Sequence, residues 1–463
     1  MDDVFEKLQK AVWKGKIKEV KQLIKHGANI NEADQDGYTC LHIAVENNQK
    51  DITEFLIENG ADVEKTTSNM SKGQTPLHLA AAAGHLKMMN LILSHGGELN
   101  KGNNDGGTAL HYAAENGHLG VTRHLISQGA EINREQKDGW TALHTAAENG
   151  HLDVTKHLIS QGADVNKGNK NGSIALHYAA QNGHLDITKH LISQGAEVNR
   201  EEKDGRTALH TAAQNGHLDV TKHLISQGTD VNKGNKNGST ALHYAAQNGH
   251  LDITKHLISQ GAEVNREEKD GRTALHTAAQ NGHLDVTKHL ISQGTDVNKG
   301  NKNGSTALHY AAENGHLDIT KHLISQGAEV NREEKDGRTA LHTAAQNGYL
   351  DVTKHLISQG AEVNREKKDS RKALHIAARA GHFDRTKHLI SQWANANNGN
   401  HNGSTALHYA AQNGHLDITK HLISQEADVN KGNNNDRTAL HIAALNGHLD
   451  ITKHLISQVK GPI

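Results

Sequence analysis

The sequence predicts an all-α repeat solenoid, in which short helix-turn-helix units stack side by side with loop or hairpin fingers between them. Three observations predict it. The pair Leu-His recurs at Leu41, Leu77 and Leu110 and then every 33 residues through Leu440, marking thirteen units; a fixed period of this size is the signature of a repeat architecture. Within a unit, apolar residues fall at i, i+3 and i+4, the stripe of an amphipathic helix. Gly returns at the same places in unit after unit, where a helix has to stop. The register slips once, between Leu41 and Leu77, where residues 66–71 lengthen one loop. Length alone would suggest about three domains, but fourteen units of 33 account for all but one of the 463 residues.

The elements follow in order within residues 207–239. Thr207 is the expected N-cap, because its hydroxyl can accept from an orphan backbone N–H. Leu209, Ala212 and Ala213 form the apolar stripe of a first helix, and Asn215-Gly216 stops it. A second helix is expected over about 218–227, with Leu218, Val220, Leu224 and Ile225 apolar and Gly228 at its end. The polar, Gly-rich stretch that follows reads as a turn or hairpin finger. Each helix pair exposes an apolar face that only its neighbours can cover. Stacking is therefore obligatory, and stability sums unit and interface contributions. Residues 1–35 read as a degenerate N-terminal capping repeat, since 5–15 and 17–27 keep the helix rhythm without the marker. Residues 36–463 read as about thirteen tandem repeats, irregular at about 370–402.

Thr-Ala-Leu-His, Ala-Ala-x-x-Gly-His-Leu and Gly-Ala-x-Val-Asn at this period resemble the ankyrin repeat, over nearly the whole chain. One departure is consistent: the Pro of the family's Thr-Pro-Leu-His occurs only at Pro76, with Ala or Cys40 elsewhere, and Ala suits a helix start. The resemblance implies an ankyrin-repeat superhelix whose fingers and first helices line a long concave surface used to bind proteins. Carried onto this chain, that surface includes Arg200, Glu201, Glu202, Lys203, Arg206, Gln214, Lys233, Lys236 and Ser239, with Tyr244 and Tyr310 as aromatic anchors. It also implies hydroxylation by an intracellular asparaginyl hydroxylase at Asn166, Asn232, Asn298 and Asn430, which stand in Leu-x5-Asp-Val-Asn.

A second period of 66 residues lies beneath the first. Tyr112, Tyr178, Tyr244 and Tyr310 alternate with Thr145, Thr211, Thr277 and Thr343, and two finger types alternate in step. Recent tandem duplication and a target with its own repeat both account for it. The repeat at 370–402 breaks several rules, with Ser370 and Trp393 in place of Gly, Lys372 in place of Thr and Arg385 in place of Ile or Val. A Trp at a left-handed position is costly, so an altered backbone and a weak joint are expected near 370–396.

The 38 histidines invite a metal or catalytic reading, yet thirteen belong to Leu-His, eleven to the Gly-His series and eleven to the Lys/Arg-His series. Structural hydrogen bonding is expected of them, and weakening of the array in mild acid. No HExxH, phosphate-binding Gly loop or closed calcium loop is present, and Cys40 sits in the Ala/Pro slot of the marker. No enzyme, cofactor or metal site is expected. A formal charge of −2 with few aromatics disfavours nucleic acid. One Cys and the absence of a long apolar stretch favour a soluble, cytoplasmic chain without membrane insertion, nuclear location remaining compatible. The function expected is a non-enzymatic protein-interaction adaptor. The alternatives are a scaffold or spring between membrane proteins and cytoskeleton, or the recognition arm of a larger regulatory or catalytic polypeptide. The last is favoured by an end at Val-Lys-Gly-Pro-Ile without a polar cap.

Overall fold

A computed structural model describes residues 2–68, 70 and 72–459; part of the lengthened loop and the last four residues lie outside them. Among the described residues there are 28 helices in consecutive pairs, from Asp2–Trp13 with Ile17–Lys25 to Ala439–Leu445 with Leu449–Gln458. The helices gather into two compact units, Met1–Val231 and Asn232–Ile463, described separately below as the N-terminal and C-terminal halves.

In the N-terminal half, first helices pack on first helices and second helices on second. Ala142–Glu148 lies between Ala109–Glu115 and Ala175–Gln181, and Leu152–Ser160 lies between Leu119–Ser127 and Leu185–Ser193. The C-terminal half repeats this: Ala274–Asn281 contacts Ala241–Gln247 and Ala307–Glu313, and Leu284–Ser292 contacts its neighbours in the second layer. Leu143, Ala146 and Ala147 of a first helix and Val154 and Leu158 of a second are fully buried. Burial of each Leu contributes about 2 kcal/mol, and the Ala pairs let adjacent helices approach closely.

Helix boundaries follow the local chemistry. Thr207 is extended at φ −113°, ψ 171°, as an N-cap should be, and the helix after it runs Ala208–Gln214. The second helix is Leu218–Ser226, one residue shorter than its pattern. Between the two helices of a pair, glycine is needed twice over. Gly249 has φ +75°, and a Cβ on it would lie 2.5 Å from Nδ1 of His283 in the next repeat.

The fingers are turns and not hairpins; among the described residues the one isolated bridge pairs Ala33 with Thr39. Asn235 holds such a turn, its Oδ1 accepting from the N–H groups of Asn237 (2.8 Å) and Ser239 (3.0 Å). Successive fingers share a single backbone bond, as where Lys269 N–H donates to Asn237 O at 2.7 Å and Lys302 N–H to Asp270 O at 2.8 Å. One bond per repeat is too few to make a strand ladder.

The irregular repeat keeps the backbone course of its neighbours, contrary to the altered backbone its sequence suggests. Trp393 holds φ +71° where Gly360 holds +90°, and Ser370 (+58°) and Glu426 (+60°) are left-handed as well. The helix Phe383–Ser391 packs between Leu350–Ser358 and Leu416–Ser424 as its copies do. Stacking thus imposes on Trp393 a conformation that costs an L-residue about 1–2 kcal/mol, and the indole, 89% exposed, gains little packing in return. Trp393→Gly is therefore expected to stabilise the C-terminal half by about 1 kcal/mol. Hydrogen exchange should show slower opening across residues 383–396; equal or faster exchange contradicts the strain.

Candidate functional site

The histidines of the Leu-His marker form the inner bond of most repeats, although Nε2 of His243 has no hydrogen-bond partner among the described residues. In the N-terminal half, Nδ1 of His144 accepts the Thr141 N–H at 3.1 Å and lies 2.8 Å from Thr141 Oγ1. An Nδ1 that accepts leaves the proton on Nε2, which donates to Ser173 O of the next finger at 3.0 Å. In the C-terminal half, His276 accepts from Thr273 N–H at 3.1 Å and donates to Lys299 O at 2.9 Å. One neutral ring so caps its own helix and fastens the following finger. Even Ile174, which has no hydroxyl, keeps the extended cap, with its N–H donating to His177 at 3.2 Å. Burial pushes these rings down, to about 4 for His42, His78, His111, His276 and His342, against weaker opposing contributions from the carbonyls they bond.

The second series reaches backwards. His184 Nε2 donates to Glu148 O at 2.9 Å and His283 Nε2 to Gln247 O at 2.9 Å, each closing the end of the preceding first helix. The third series packs in the second-helix layer. Nε2 of His190, His289, His322, His355, His388 and His421 is buried without a hydrogen-bond partner among the described residues. Burial, and then a lysine of the preceding repeat, holds His190 and His289 below their usual range. No group of three or more His, Cys, Asp or Glu among the described residues converges as a metal site would. The Cys40 thiol is buried and pushed up to about 12 by that burial and by Glu32 and Asp34, so it stays protonated.

The expected partner-facing residues divide into two groups. Glu201, Lys203 and Lys236 are exposed at finger tips, and Arg200, Lys233 and Gln214 are half-buried. Arg200 pairs with Glu197 at 3.2 Å, and Arg206 pairs with Asp204 at 2.7 Å and Glu202 at 3.3 Å. Ser239 corrects the surface assignment. It is 7% exposed, and its hydroxyl donates to Glu268 of the next finger, as Ser173 does to Glu202 and Ser305 to Glu334. Tyr244 and Tyr310 are half-buried, and their hydroxyls accept from Asn235 and Asn301, both at 2.9 Å. Tyr310 also stands edge-on to His276, with centroids 5.8 Å apart. These pairs give the 66-residue period over residues 169–334 an internal reason: each Asn finger is bonded to its Tyr, and its Ser to a Glu on the next finger.

Three of the four asparagines of the Asp-Val-Asn motif belong to a staple between repeats. Asn166 donates to Gly195 O at 3.0 Å while its Oδ1 accepts the Glu197 N–H at 2.9 Å. Asn232 does the same with Gly261 and Glu263, and Asn298 with Gly327 and Glu329. Asn430 lies at the last described finger, and its amide has no such partner among the described residues.

Two clefts between fingers and first helices depart from the copied pattern, and residues that motif reading passed over line them. One, of about 250 Å³, lies beside Tyr112 and Trp140 with Glu115, Glu148, Asp105 and Asp138 around it. Trp140 stands where the copies have Arg206 or Arg272, and its ring lies 4.3 Å from that of Tyr178. Burial, and then Glu115, pushes the Glu148 carboxyl up. The other, of about 480 Å³, lies over the irregular repeat between Arg338, Lys367, Arg371 and Arg379. The signal for both was position-by-position comparison of the copies, which shows where a repeat changes charge.

The profile of the family described as ankyrin repeats (3 copies) matches residues 6–67, 63–136, 123–202, 189–268, 249–334, 276–367, 321–392 and 374–461. Among similar proteins, palmitoyltransferase ZDHHC13 of Homo sapiens is 35% identical over 89 residues, 19% of this chain and 14% of that one. Ankyrin repeat domain-containing protein 40 of Homo sapiens is 34% identical over 85 residues, 18% of this chain and 22% of that one. The 2-5A-dependent ribonuclease of Homo sapiens is 42% identical over 82 residues, 18% of this chain and 11% of that one. The chain thus matches less than a quarter of the length of each. No helix among the described residues is long and apolar enough to cross a membrane.

Two outcomes follow from the bonds described. The rings of His42, His78, His111, His276 and His342 titrate near 6.5 when unfolded and near 4 when folded, so the unfolded chain takes up protons first as pH falls through that window. Their stabilisation is whole above about pH 6.5 and is lost toward pH 4, at about 1 kcal/mol per ring between pH 7.5 and 5.5. Melting temperature is expected to drop steeply over those two pH units, before ordinary carboxylates protonate; a constant value refutes the neutral-ring assignment. Second, Asn298→Ala should cost about 1 kcal/mol by stranding two backbone groups. Lys222→Ala, at an exposed second-helix position, should lie within about 0.5 kcal/mol of the parent. Equal effects in urea titrations would deny the staple.

Proposed function

The chain belongs to the ankyrin-repeat family, and from that membership we propose that it is a non-enzymatic, intracellular adaptor that binds one or more proteins through its finger and first-helix surface. One observation carries the reading. Positions that tie repeats together, the marker His and the buried Leu and Ala, hardly change, whereas exchanges between near copies concentrate on that surface. Trp140 against Arg206, Glu148 against Gln214, and Lys367 and Arg379 against Glu202 and Gln214 all lie beside clefts of it. These exchanges alter charge and shape at the positions a partner would meet. The histidines, carboxylates and thiol that could serve catalysis are engaged in stacking, ion pairs or burial, which supports a binding role over chemistry.

A second reading, the recognition arm of a larger polypeptide, is favoured by the relatives. Two are named as enzymes, and each match is a small fraction of their length. Both readings place the binding on the same surface and differ in what is attached to it.

The finger residues supply the test. Replacing Glu201, Lys203 and Lys236 with Ala is expected to weaken capture of a partner from cell lysate about tenfold or more. Replacing exposed second-helix residues Lys222 and Lys255 should leave it unchanged. Capture indifferent to both sets would favour a spring or scaffold whose fingers recognise nothing.

A further inference from the structure

The irregular repeat reads as decay when taken residue by residue, but its departures meet at one place. The cleft of about 480 Å³ is lined by Arg338 from one finger, Lys367 and Arg371 from the next, and Ile376, Arg379 and Ala380 from the first helix Ala373–Ala380. Gln346 and Asn413, as in the copies, complete the lining, and four of the eight residues differ from the copies: Lys367 replaces Glu202 or Glu268, Ile376 replaces Thr, Arg379 replaces Gln, and Ala380 replaces Asn. The exchanges of Glu for Lys and Gln for Arg move the cleft three charges toward positive. The exchanges of Thr for Ile and Asn for Ala remove two polar groups from its floor. The cleft at the equivalent finger 200–206 is mixed in sign, lined by Glu202 and Asp204 as well as Lys203 and Arg206. No carboxylate lines the cleft over Arg371.

The surrounding acids offset this charge in part. Arg338 meets Glu334 (3.1 Å) and Asp336 (3.5 Å), Lys367 meets Asp336 (3.1 Å), and Arg371 meets Asp369 (2.5 Å). Arg379 is exposed and has no ion-pair partner among the described residues. Lys367, whose side chain is 11% exposed, is largely engaged by Asp336, but a guanidinium has five donors, of which the pairs of Arg338 and Arg371 use one or two. The cleft therefore presents the guanidinium donors of Arg338, Arg371 and Arg379 beside Ala380 and the edge of Ile376.

We propose that this cleft docks an acidic segment of a protein partner, a short run of Asp and Glu with an apolar side chain seated against Ala380. The proposal rests on the protein-binding reading above and gives the partner its chemistry. Nucleic acid fits less well: the lining contains no aromatic ring for a base to stack on, and the positive field is confined to this repeat in a chain of formal charge −2.

The test restores the copied residues. Lys367→Glu and Arg379→Gln install what the neighbouring repeats carry at the same positions, so the variant is expected to fold, which the melting curve checks. Fluorescence anisotropy would follow a short labelled Asp/Glu peptide with a central Leu, its Asn/Gln counterpart, and a single-stranded RNA of similar length. The parent chain should bind the acidic peptide, the double variant about tenfold more weakly, and the parent's affinity should fall with added salt. Equal binding of the two peptides, no loss in the variant, no binding of the acidic peptide, or tighter binding of RNA each overturns the proposal. Lysate capture separates the two levels: a variant that captures the parent's partners undiminished defeats the acidic cleft alone. If the parent captures nothing, the adaptor reading itself fails.

Discussion

A neutral imidazole is the constraint on which the rest of each repeat depends. The ring of a marker histidine must accept at Nδ1 from the N-cap of its own first helix and donate from Nε2 to a carbonyl of the next finger. His144 does so between Thr141 and Ser173, and His276 does so between Thr273 and Lys299. A protonated ring would turn a donor toward a donor and carry a charge where burial forbids one. The residues around it follow from this. Thr precedes the helix because its extended backbone aims an N–H at the ring, and Leu precedes His because the neighbouring position faces the core. The finger must return its carbonyl to the same height in each repeat, which a tight turn held by one Asn or Asp achieves.

The backward bond completes the interlock. A Gly-His histidine closes the preceding first helix and lies against the glycine that ends it, so that glycine answers to backbone conformation and to its neighbour's ring at once. With one histidine bond forward and one back in repeats such as these, ordering is local and cooperative between neighbours. The doubled period belongs to the same logic. Asn fingers paired with Tyr, and Ser paired with the following Glu, make two kinds of repeat that suit each other in alternation. Duplication of a two-repeat block preserves these pairs, whereas duplication of one repeat breaks them. The break at 365–371 shows this: a second Arg-Glu finger follows a first, no Ser is available for the Glu position, and Lys367 stands there and pairs with Asp336.

Much of the fold was legible in the sequence, because period and helical stripe are properties of single residues in order. Helix pairs, the cap at Thr207 and the stops at glycine needed nothing more, and boundaries moved by one residue. Partners 29 residues away were not legible. Ser239 is polar and sits in a finger, so it reads as surface; only the approach of Glu268 shows it buried. Trp393 reads as a break because intrinsic preference opposes a left-handed Trp, but the neighbours on either side over-determine the backbone and hold it there. The fingers read as turns or hairpins alike, because turn residues signal a turn without saying whether strands flank it. The clefts were hidden for a related reason: motif reading averages copies, and the informative residues are those on which the copies disagree.

That disagreement separates two kinds of selection within one short unit. The inward residues answer to both neighbours, so an exchange such as Val to Arg385 buries an Nε with no hydrogen-bond partner and is paid for in stability. Finger tips and the outer turn of a first helix answer to one weak ion pair or to solvent, so their charge can change at little cost to folding. Local polarity then departs from the whole. A chain of formal charge −2 carries an acid-rich, aromatic cleft at Trp140 in one half and a cationic cleft at Arg379 in the other. Net charge describes neither. Because the ladder of neutral rings supplies stability without using these side chains, each repeat can be altered for a contact of its own while its neighbours continue to stack. Recognition along such an array is therefore to be sought where a repeat ceases to copy its neighbours.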